Sequence, residues 1–348
     1  MDTVVISDTP HLRKKRTTKG IMLDVLIALV PATVAGLVYF GGRAAVTLVL
    51  SVFSAVATEF VWLLCKKMSF KAILRQFDFT SAITGLLLGL TLPPLAYEFW
   101  YIPVLSGIFA VGAAKMLFGG TGKNIVNPAI AGRVFAFIAF SGAMVSGWIQ
   151  PAFGAIEGSN AVAGGATPLT ELLGNGLQAV KVGNLDLFLG TGVAGCIGET
   201  CKLALIVGGI YLVVRKVIKP QYPIIYIAVT GLISVFTSGN DWNVFLPSIL
   251  SGGLILGAVF MATDYVTSPN NKVASYVYFA VLGVVTALLR YGTKIEVVSF
   301  AILLMNLVVP LFNTYIRPRP FGSPSIVKSI KEKSAAKKAA KAAKEEAK

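Results

Sequence analysis

The sequence has little charge and few cysteines. Of its 348 residues, 14% are charged and 55% are hydrophobic, whereas a soluble domain carries about 25% charged residues. The cysteines, Cys65, Cys196 and Cys201, show neither a C-x-x-C motif nor any spacing typical of cluster ligands. We therefore expect three small buried thiols and no iron–sulfur cluster. We also expect no metal site and no catalytic residue in this chain.

Charge is absent from long stretches of the chain. The charged residues lie at the ends and in short breaks between apolar runs of about 18 to 22 residues, the length that a helix needs to cross ~30 Å of hydrocarbon. The runs are continuous rather than alternating, and they predict an all-α integral membrane protein with about ten transmembrane helices. The predicted helices are 21–40, 44–65, 79–95, 98–116, 127–149, 197–214, 221–238, 244–262, 273–290 and 295–315.

The net charge of +15 is concentrated near the two termini. Basic residues lie between Arg13 and Lys19 and in an Ala/Lys-rich tail after Lys328. Such flanks are typical of the cytoplasmic side of membrane proteins and do not indicate a nucleic-acid partner. The first apolar run is too long and uninterrupted for a cleavable signal peptide. We expect a basic cytoplasmic N-terminus at 1–20 and a basic cytoplasmic tail at 317–348.

The basic residues between the helices predict the orientation. With a cytoplasmic N-terminus, ten of them lie in loops on that side: Lys66, Lys67, Lys71, Arg75, Lys115, Lys123, Arg215, Lys216, Lys219 and Lys272. Four lie in the opposite loops: Arg43, Lys181, Arg290 and Lys294. The excess indicates a cytoplasmic-membrane protein with both termini in the cytoplasm. It gives a first five-helix half at 21–149, an extracytoplasmic loop and re-entrant segment at 150–196, and a second half at 197–316.

Two helices are predicted to be interrupted. Pro93 and Pro94 end the third helix, and the glycine-rich stretch Gly190–Glu199 precedes the sixth. Broken helices in membranes typically line a cavity or a ligand site.

A weak internal sequence similarity bears on how the two five-helix halves are arranged. Thr84–Gly89 in the third helix resembles Ser251–Gly257 in the eighth, and these helices run in opposite directions, as an inverted repeat requires. Ser106–Ala113 resembles the same segment, and small-residue motifs recur by chance. The residues alone leave the repeat open.

Two short motifs are candidate functional sites. FGGTGKN at Phe118–Asn124 lacks the first glycine and the final hydroxyl residue of a phosphate loop, and it indicates a cytoplasmic turn. In GGATPL, Thr167 and Pro168 fit the N-cap and first position of a helix. Alternatively, the small Gly164, Gly165 and Ala166 leave room for a modifying enzyme at an exposed Thr167. Pro168 favours an extended conformation there. The two interpretations are compatible.

Four motifs together resemble the RnfD family, the D-type membrane subunits of Rnf electron transport complexes. They are GGTGKNIVNPA, GGATPL, GCIGET and FMATDYVTSP, beginning at Gly119, Gly164, Gly195 and Phe260. The related NqrB family, found in the sodium-pumping NADH:quinone reductase, shares the pattern. The resemblance covers nearly the whole chain from the first helix to the tenth. It implies two inverted five-helix repeats, similar to urea and ammonium channels.

The resemblance also implies a cofactor site. In the family a flavin transferase uses FAD to join FMN through a phosphoester to the threonine that corresponds to Thr167, which Gly165, Ala166 and Pro168 flank here. The family motif usually has serine where this chain has Gly164. Some relatives also hold noncovalent riboflavin within the membrane, and the sequence leaves open whether this chain does.

The implied role is that of one membrane subunit in a complex. The complex moves electrons from reduced ferredoxin to NAD⁺ and couples this to Na⁺ or H⁺ export, and this chain would relay electrons through extracytoplasmic FMN. Its partners would be the other Rnf subunits, and the flavin transferase during maturation. Two rivals remain: the quinone-reductase subunit, whose longer N-terminal segment is missing here, and a flavin-free channel for a small solute.

Ionisable residues inside apolar runs are candidates for an ion pathway. Glu199 and Asp264 are the two that we select, because an intramembrane charge is expensive unless it has a function or a partner. Glu199 and Lys202 are three residues apart, so the alternative is that they pair on one helix face. Capping or solvation at the end of the eighth helix would explain Asp264.

Overall fold

A computed structural model describes residues 17–95, 97–147, 167–176 and 182–316. These ranges contain helices, turns and extended segments but no strand. The α-helices are α1 (Thr18–Cys65), α2 (Phe70–Gln76), α3 (Thr80–Thr91), α4 (Tyr101–Ile108), α5 (Pro128–Ala139), α6 (Ser141–Ser146), α7 (Pro168–Asn175), α8 (Asn184–Leu189), α9 (Lys202–Val214), α10 (Gln221–Thr237), α11 (Phe245–Leu250), α12 (Leu254–Leu256), α13 (Lys272–Thr293) and α14 (Val298–Tyr315). The basic segment up to Arg16 and the tail after Ile316 lie outside the described residues.

Helix α1 contains the first two predicted helices. Its 48 residues would extend about 70 Å, more than twice the ~30 Å of a hydrocarbon core. Gly41 divides it, with the non-helical angles φ 59° and ψ −138°. The positive φ explains the glycine, since other residues rarely adopt it.

Several helices are compatible with a membrane. Among the described residues, four are long and apolar enough to cross one: α1, the continuous segment Tyr97–Met116, α13 and α14. The number is five if the bent pair Trp242–Leu250 and Leu254–Met261 forms one span. Helices α3, α5, α9 and α10 are apolar but shorter. The prediction of a helical membrane protein agrees with this architecture, while the count of ten helices stays a prediction.

The sixth predicted helix begins later than expected. Helix α9 starts at Lys202 rather than at 197. The preceding backbone instead binds the end of α3, where Ile197 N donates to Leu92 O at 3.1 Å and Gly198 N donates to Leu90 O at 2.7 Å. A Cβ on Gly198 would lie 2.6 Å from the Leu90 Cβ. The glycine is therefore needed for this close contact.

The eighth predicted helix, 244–262, is not continuous. It breaks at Ser251–Gly253 between α11 and α12, and the two parts are bent by 68°. The second part continues as a π-helix, Gly257–Met261. The sequence analysis predicted interruptions at Pro93–Pro94 and at Gly190–Glu199, but it did not predict this break. The fifth predicted helix is also interrupted, at Phe140 between α5 and α6.

The similarity of Ser106–Ala113 to Ser251–Gly257 has a structural counterpart. Tyr97–Met116 and Trp242–Met261 both begin with a 3₁₀ turn, continue as α-helix and end as π-helix. This structural similarity involves Ser106–Ala113 and not Thr84–Gly89, the segment whose similarity to Ser251–Gly257 would support an inverted repeat. The inverted repeat therefore stays a prediction.

The cysteines differ in their exposure. Cys196 is buried and Cys201 half-buried, but Cys65 is exposed at the end of α1. The prediction of three buried thiols is therefore wrong for Cys65.

Glycine permits close packing of α9 on α1, and Gly208→Ala tests it. A Cβ at Gly208 would overlap the backbone carbonyl oxygen of Ala28. Backbone cannot rotate away as a side chain can, so the helices must separate, at a cost of about 1–3 kcal/mol. We expect a lower Tm in detergent. Gly292→Ala is the control, because a Cβ there meets nothing within 4 Å. Equal Tm values for the two variants would contradict the packing argument.

Candidate functional site

Thr167 is the N-cap of α7. Its backbone is extended, with φ −69° and ψ 148°, and its Oγ1 accepts a hydrogen bond from Thr170 N at 3.3 Å. The Thr170 hydroxyl in turn donates to the Thr167 carbonyl at 2.7 Å. The predicted N-cap and the extended conformation before Pro168 are confirmed. Thr167 is only 8% exposed, so the expectation of an exposed hydroxyl is wrong for this structure. Gly165 and Ala166 lie outside the described residues.

Thr167 and Pro168 border a small cavity that contains buried charges. Its volume is about 20 Å³, enough for about one water molecule. The walls come from α5, α7, the start of α9 and the segment before it, the α11–α12 break and the loop before α14. The lining residues are Arg133, Thr167, Pro168, Val193, Ala194, Gly195, Cys196, Glu199, Thr200, Lys202, Gly252 and Glu296. The structure thus brings Thr167 and Glu199 together, which the sequence did not predict.

Glu199 and Lys202 do not pair on a helix face. Glu199 lies in the turn before α9, and its Oε1 accepts from Cys196 N at 3.0 Å. Lys202 Nζ donates to the backbone carbonyl of Glu199 instead of to its carboxylate. The alternative that Glu199 and Lys202 pair on one helix face is wrong, because the helix begins only at Lys202. The other carboxylate oxygen of Glu199 is buried and has no hydrogen-bond partner among the described residues.

A buried ion pair closes one side of the cavity. Arg290 Nη2 lies 3.0 Å from Glu296 Oε2, and both side chains are almost inaccessible. The same guanidinium donates to Ser248 O at 2.9 Å and to Ser251 O at 3.4 Å. These carbonyls belong to the end of α11, where the helix break leaves them without helical donors. The sequence analysis counted Arg290 as a loop residue. The signal that it missed is that Arg290 and Glu296 lie on either side of the end of α13, close enough in sequence to form an ion pair.

Asp264 lies at a second, larger cavity of about 130 Å³. Its Oδ2 accepts from the Thr267 hydroxyl at 3.1 Å, a contact between two side chains in the turn after the π-helix. The motif GGTGKNIVNPA contributes Asn127 to the lining of the same cavity. Asn127 caps α5 and donates from Nδ2 to Met261 O at 3.2 Å. The polar residues in the lining are Thr80, Thr84, Lys115, Thr121, Asn124, Asn127, Thr263, Asp264 and Tyr265.

Lys115 is buried at the edge of this second cavity. It lies on the π-helix that ends α4 and is 2% exposed, so its placement in a cytoplasmic loop is wrong. Its ammonium binds Glu59 Oε1 at 3.1 Å, the Ser81 hydroxyl at 2.9 Å and the Thr80 hydroxyl at 2.5 Å. All three donors of the ammonium are therefore used.

Comparison with known proteins places the chain among electron-transport subunits. The model of the NQR2, RnfD, RnfE family matches residues 5–322. The chain is 38% identical to the D-type subunit of the Na⁺-translocating ferredoxin:NAD⁺ oxidoreductase complex of Acetobacterium woodii, over 94% of this chain and 98% of that protein. It is 36% identical to the D-type subunit of the ion-translocating oxidoreductase complex of Stutzerimonas stutzeri, over 87% and 91%. It is 33% identical to the D-type subunit of the proton-translocating ferredoxin:NAD⁺ oxidoreductase complex of Clostridium ljungdahlii, over 91% and 96%.

Proposed function

Because the chain belongs to the NQR2, RnfD, RnfE family, we propose that it is the D-type membrane subunit of an ion-translocating ferredoxin:NAD⁺ oxidoreductase complex. The similarity to these relatives extends along almost the full length of both chains. The chain is an enzyme subunit that is not active alone. The other Rnf subunits bind ferredoxin and NAD⁺, since this sequence has no dinucleotide fingerprint and no cluster-ligand spacing.

The proposal assigns a covalent FMN to Thr167, and the residues there fit its phosphate. Thr167 is the N-cap of the eight-residue α7, and helix N-termini favour phosphate groups. Arg133 and Lys202 supply positive charge in the adjacent cavity. That cavity has a volume of about 20 Å³, which is too small for a flavin ring, and it would have to widen at Thr167 to take the phosphate of the linkage. FMN supplies the redox chemistry when it is bound.

Attachment requires one group transfer by a flavin transferase. The Thr167 oxygen forms a bond to the FMN phosphorus of FAD, and the pyrophosphate bond of FAD breaks. AMP leaves, and the hydroxyl proton is released. The resulting phosphodiester carries one negative charge.

Riboflavin is the second cofactor that the resemblance suggests. The cavity at Asp264 combines apolar walls with Asn and Thr side chains, as small-molecule pockets commonly do. Its volume of about 130 Å³ is below the ~300 Å³ at which ligand pockets begin. Riboflavin binding here would therefore require the walls to open.

Topology and coupling ion also belong to the proposal. We propose ten helices in two inverted repeats, an extracytoplasmic Thr167, and both termini on the cytoplasmic side of the cytoplasmic membrane. Lys115 and Arg290 are buried, which changes the loop counts from ten and four basic residues to nine and three. The bias that supports the orientation persists. One relative is named as Na⁺-translocating and another as proton-translocating, so the ion is Na⁺ or H⁺.

Glu199 and Asp264 remain the proposed ion-pathway residues, and Glu199→Gln and Asp264→Asn test them. Each change removes a charge at nearly constant size. We expect ion uptake by inverted vesicles to fall roughly tenfold, about 1.4 kcal/mol, with the flavin content of the same vesicles unchanged. Glu98→Gln is the control, since Glu98 lies exposed in a 3₁₀ turn. Uptake equal to that of the control would contradict the assignment.

The central test is in-gel flavin fluorescence of the purified chain on a denaturing gel. The expression host must contain the flavin transferase, shown to be active on a known acceptor protein. A fluorescent band supports the redox-subunit proposal. A dark band favours the flavin-free channel instead. Electron transfer to quinone instead of NAD⁺ by the assembled complex would favour the quinone-reductase subunit.

A further inference from the structure

The charged side chains at and beside the cavity near Thr167 carry three positive and two negative charges: Arg133, Lys202 and Arg290 against Glu199 and Glu296. Arg133 is 9% exposed and Lys202 is 1% exposed. In the part of the chain that the structure describes, no carboxylate oxygen lies within 4 Å of a side-chain nitrogen of either residue. Arg133 lies beside the Cys196 thiol, and the Lys202 ammonium donates to the backbone carbonyl of Glu199. Glu199 and Glu296 are the carboxylates near enough for their charges to act on both cations. Both cations are thus buried beyond ion-pair distance of any carboxylate in the described residues.

The acidic residues of the cavity neutralise only part of this charge. Glu296 is paired at 3.0 Å with Arg290, whose remaining hydrogen bonds go to the end of α11. Glu199 is then the one carboxylate left for Arg133 and Lys202 among the lining residues. Two cations and one anion leave a net charge of +1. A buried charge without a partner costs several kcal/mol, so an anion is expected here.

We propose that Arg133 and Lys202 are the counter-charges of a phosphodiester attached to Thr167. The inference rests on the proposed flavin attachment and adds the residues that hold its linkage. A phosphodiester carries one negative charge, which equals the excess in the cavity. The phosphodiester would lie at the N-terminus of α7, where the helix dipole and the free backbone N–H groups favour negative charge.

The proposal explains the positions of both cations. Arg133 comes from α5 and Lys202 from the first residue of α9, and both reach the cavity that Thr167 borders. Arg290 cannot take this role, because its guanidinium already binds Glu296 and the carbonyls of the broken helix. The positioning residues are therefore Arg133 and Lys202.

The experiment compares labelled and unlabelled protein by thermal unfolding. The full chain is purified from hosts with and without the transferase, and intact mass gives the labelled fraction. For the wild type we expect labelling to raise the Tm by several degrees, because the phosphodiester neutralises the buried cations. In Arg133→Gln and Lys202→Gln, most of that gain should disappear.

Two further variants separate charge from other effects of the flavin. Lys202→Arg keeps the charge and should keep the gain. Arg215→Gln is a control at a cation that pairs with Asp24 outside this cavity, and it should also keep the gain. If the Gln variants retain the full gain, the flavin ring stabilises the protein by other contacts and the inference is overturned.

The wild type alone also decides the question if a Gln variant does not fold. A labelled wild type with no gain in Tm would overturn the inference while leaving the flavin attachment intact. A wild type that stays unlabelled beside an active transferase would overturn the proposed function itself. The two failures are thus distinguishable.

Discussion

Thr167→Ala is expected to remove the covalent flavin completely. Alanine has no hydroxyl to form the phosphoester, so the denatured band should be dark under ultraviolet light where the wild type is fluorescent. The loss should be total because no second acceptor is proposed. The same change also removes the N-cap hydrogen bond to Thr170 N, at a cost of about 1 kcal/mol of stability. The chain should therefore still fold.

Two variants control this experiment. Thr167→Ser keeps both the acceptor hydroxyl and the cap, and its band should stay fluorescent. Thr170→Val removes the neighbouring hydroxyl, which lies 3.2 Å from that of Thr167, and it should also stay fluorescent. A fluorescent Thr167→Ala band combined with a dark Thr170→Val band would transfer the attachment site to Thr170 and contradict the assignment.

Arg290→Met is expected to be the most destabilising single substitution at the site. It leaves the Glu296 carboxylate buried without its cation, and it removes the donors for Ser248 O and Ser251 O. Breaking one partner of a buried ion pair costs about 3–5 kcal/mol. The free energy of unfolding in mixed micelles measures the loss.

A double substitution tests whether the unpaired charge is the cause. Arg290→Met combined with Glu296→Gln removes both charges and should recover a large part of the stability. Arg215→Met provides the comparison, because Arg215 is half-exposed in its pair with Asp24 and such pairs contribute about 0–1 kcal/mol. A double variant no more stable than Arg290→Met alone would show that the lost backbone hydrogen bonds dominate instead.

Long apolar stretches and local capping signals were readable from the sequence. The first two predicted helices correspond to the two sides of Gly41 in α1, and α13 and α14 begin within three residues of their predicted starts. The cap at Thr167 was also predictable, because a threonine followed by a proline specifies an N-cap through contacts within a few residues. Such features depend on the nearest neighbours in the chain.

The features that depend on distant contacts were not readable. The break at Ser251–Gly253 looks like an ordinary small-residue helix segment in the sequence. In the structure, Arg290 and Glu296 occupy the space at the break, and a Cβ on Gly252 would overlap the Glu296 carboxylate. Likewise, the spacing of Glu199 and Lys202 suggests a helical pair until the contact of Gly198 with Leu90 delays the start of α9.

The burial of Thr167 has a consequence for the order of events during biogenesis. An enzyme can modify only a hydroxyl that it can reach, and this one is 8% exposed. The transferase would therefore have to act before α7 docks, or during a transient opening of that helix. A chain that folds first would close its own acceptor. Modification therefore belongs to biogenesis, and the transferase must be present in the host while the chain folds.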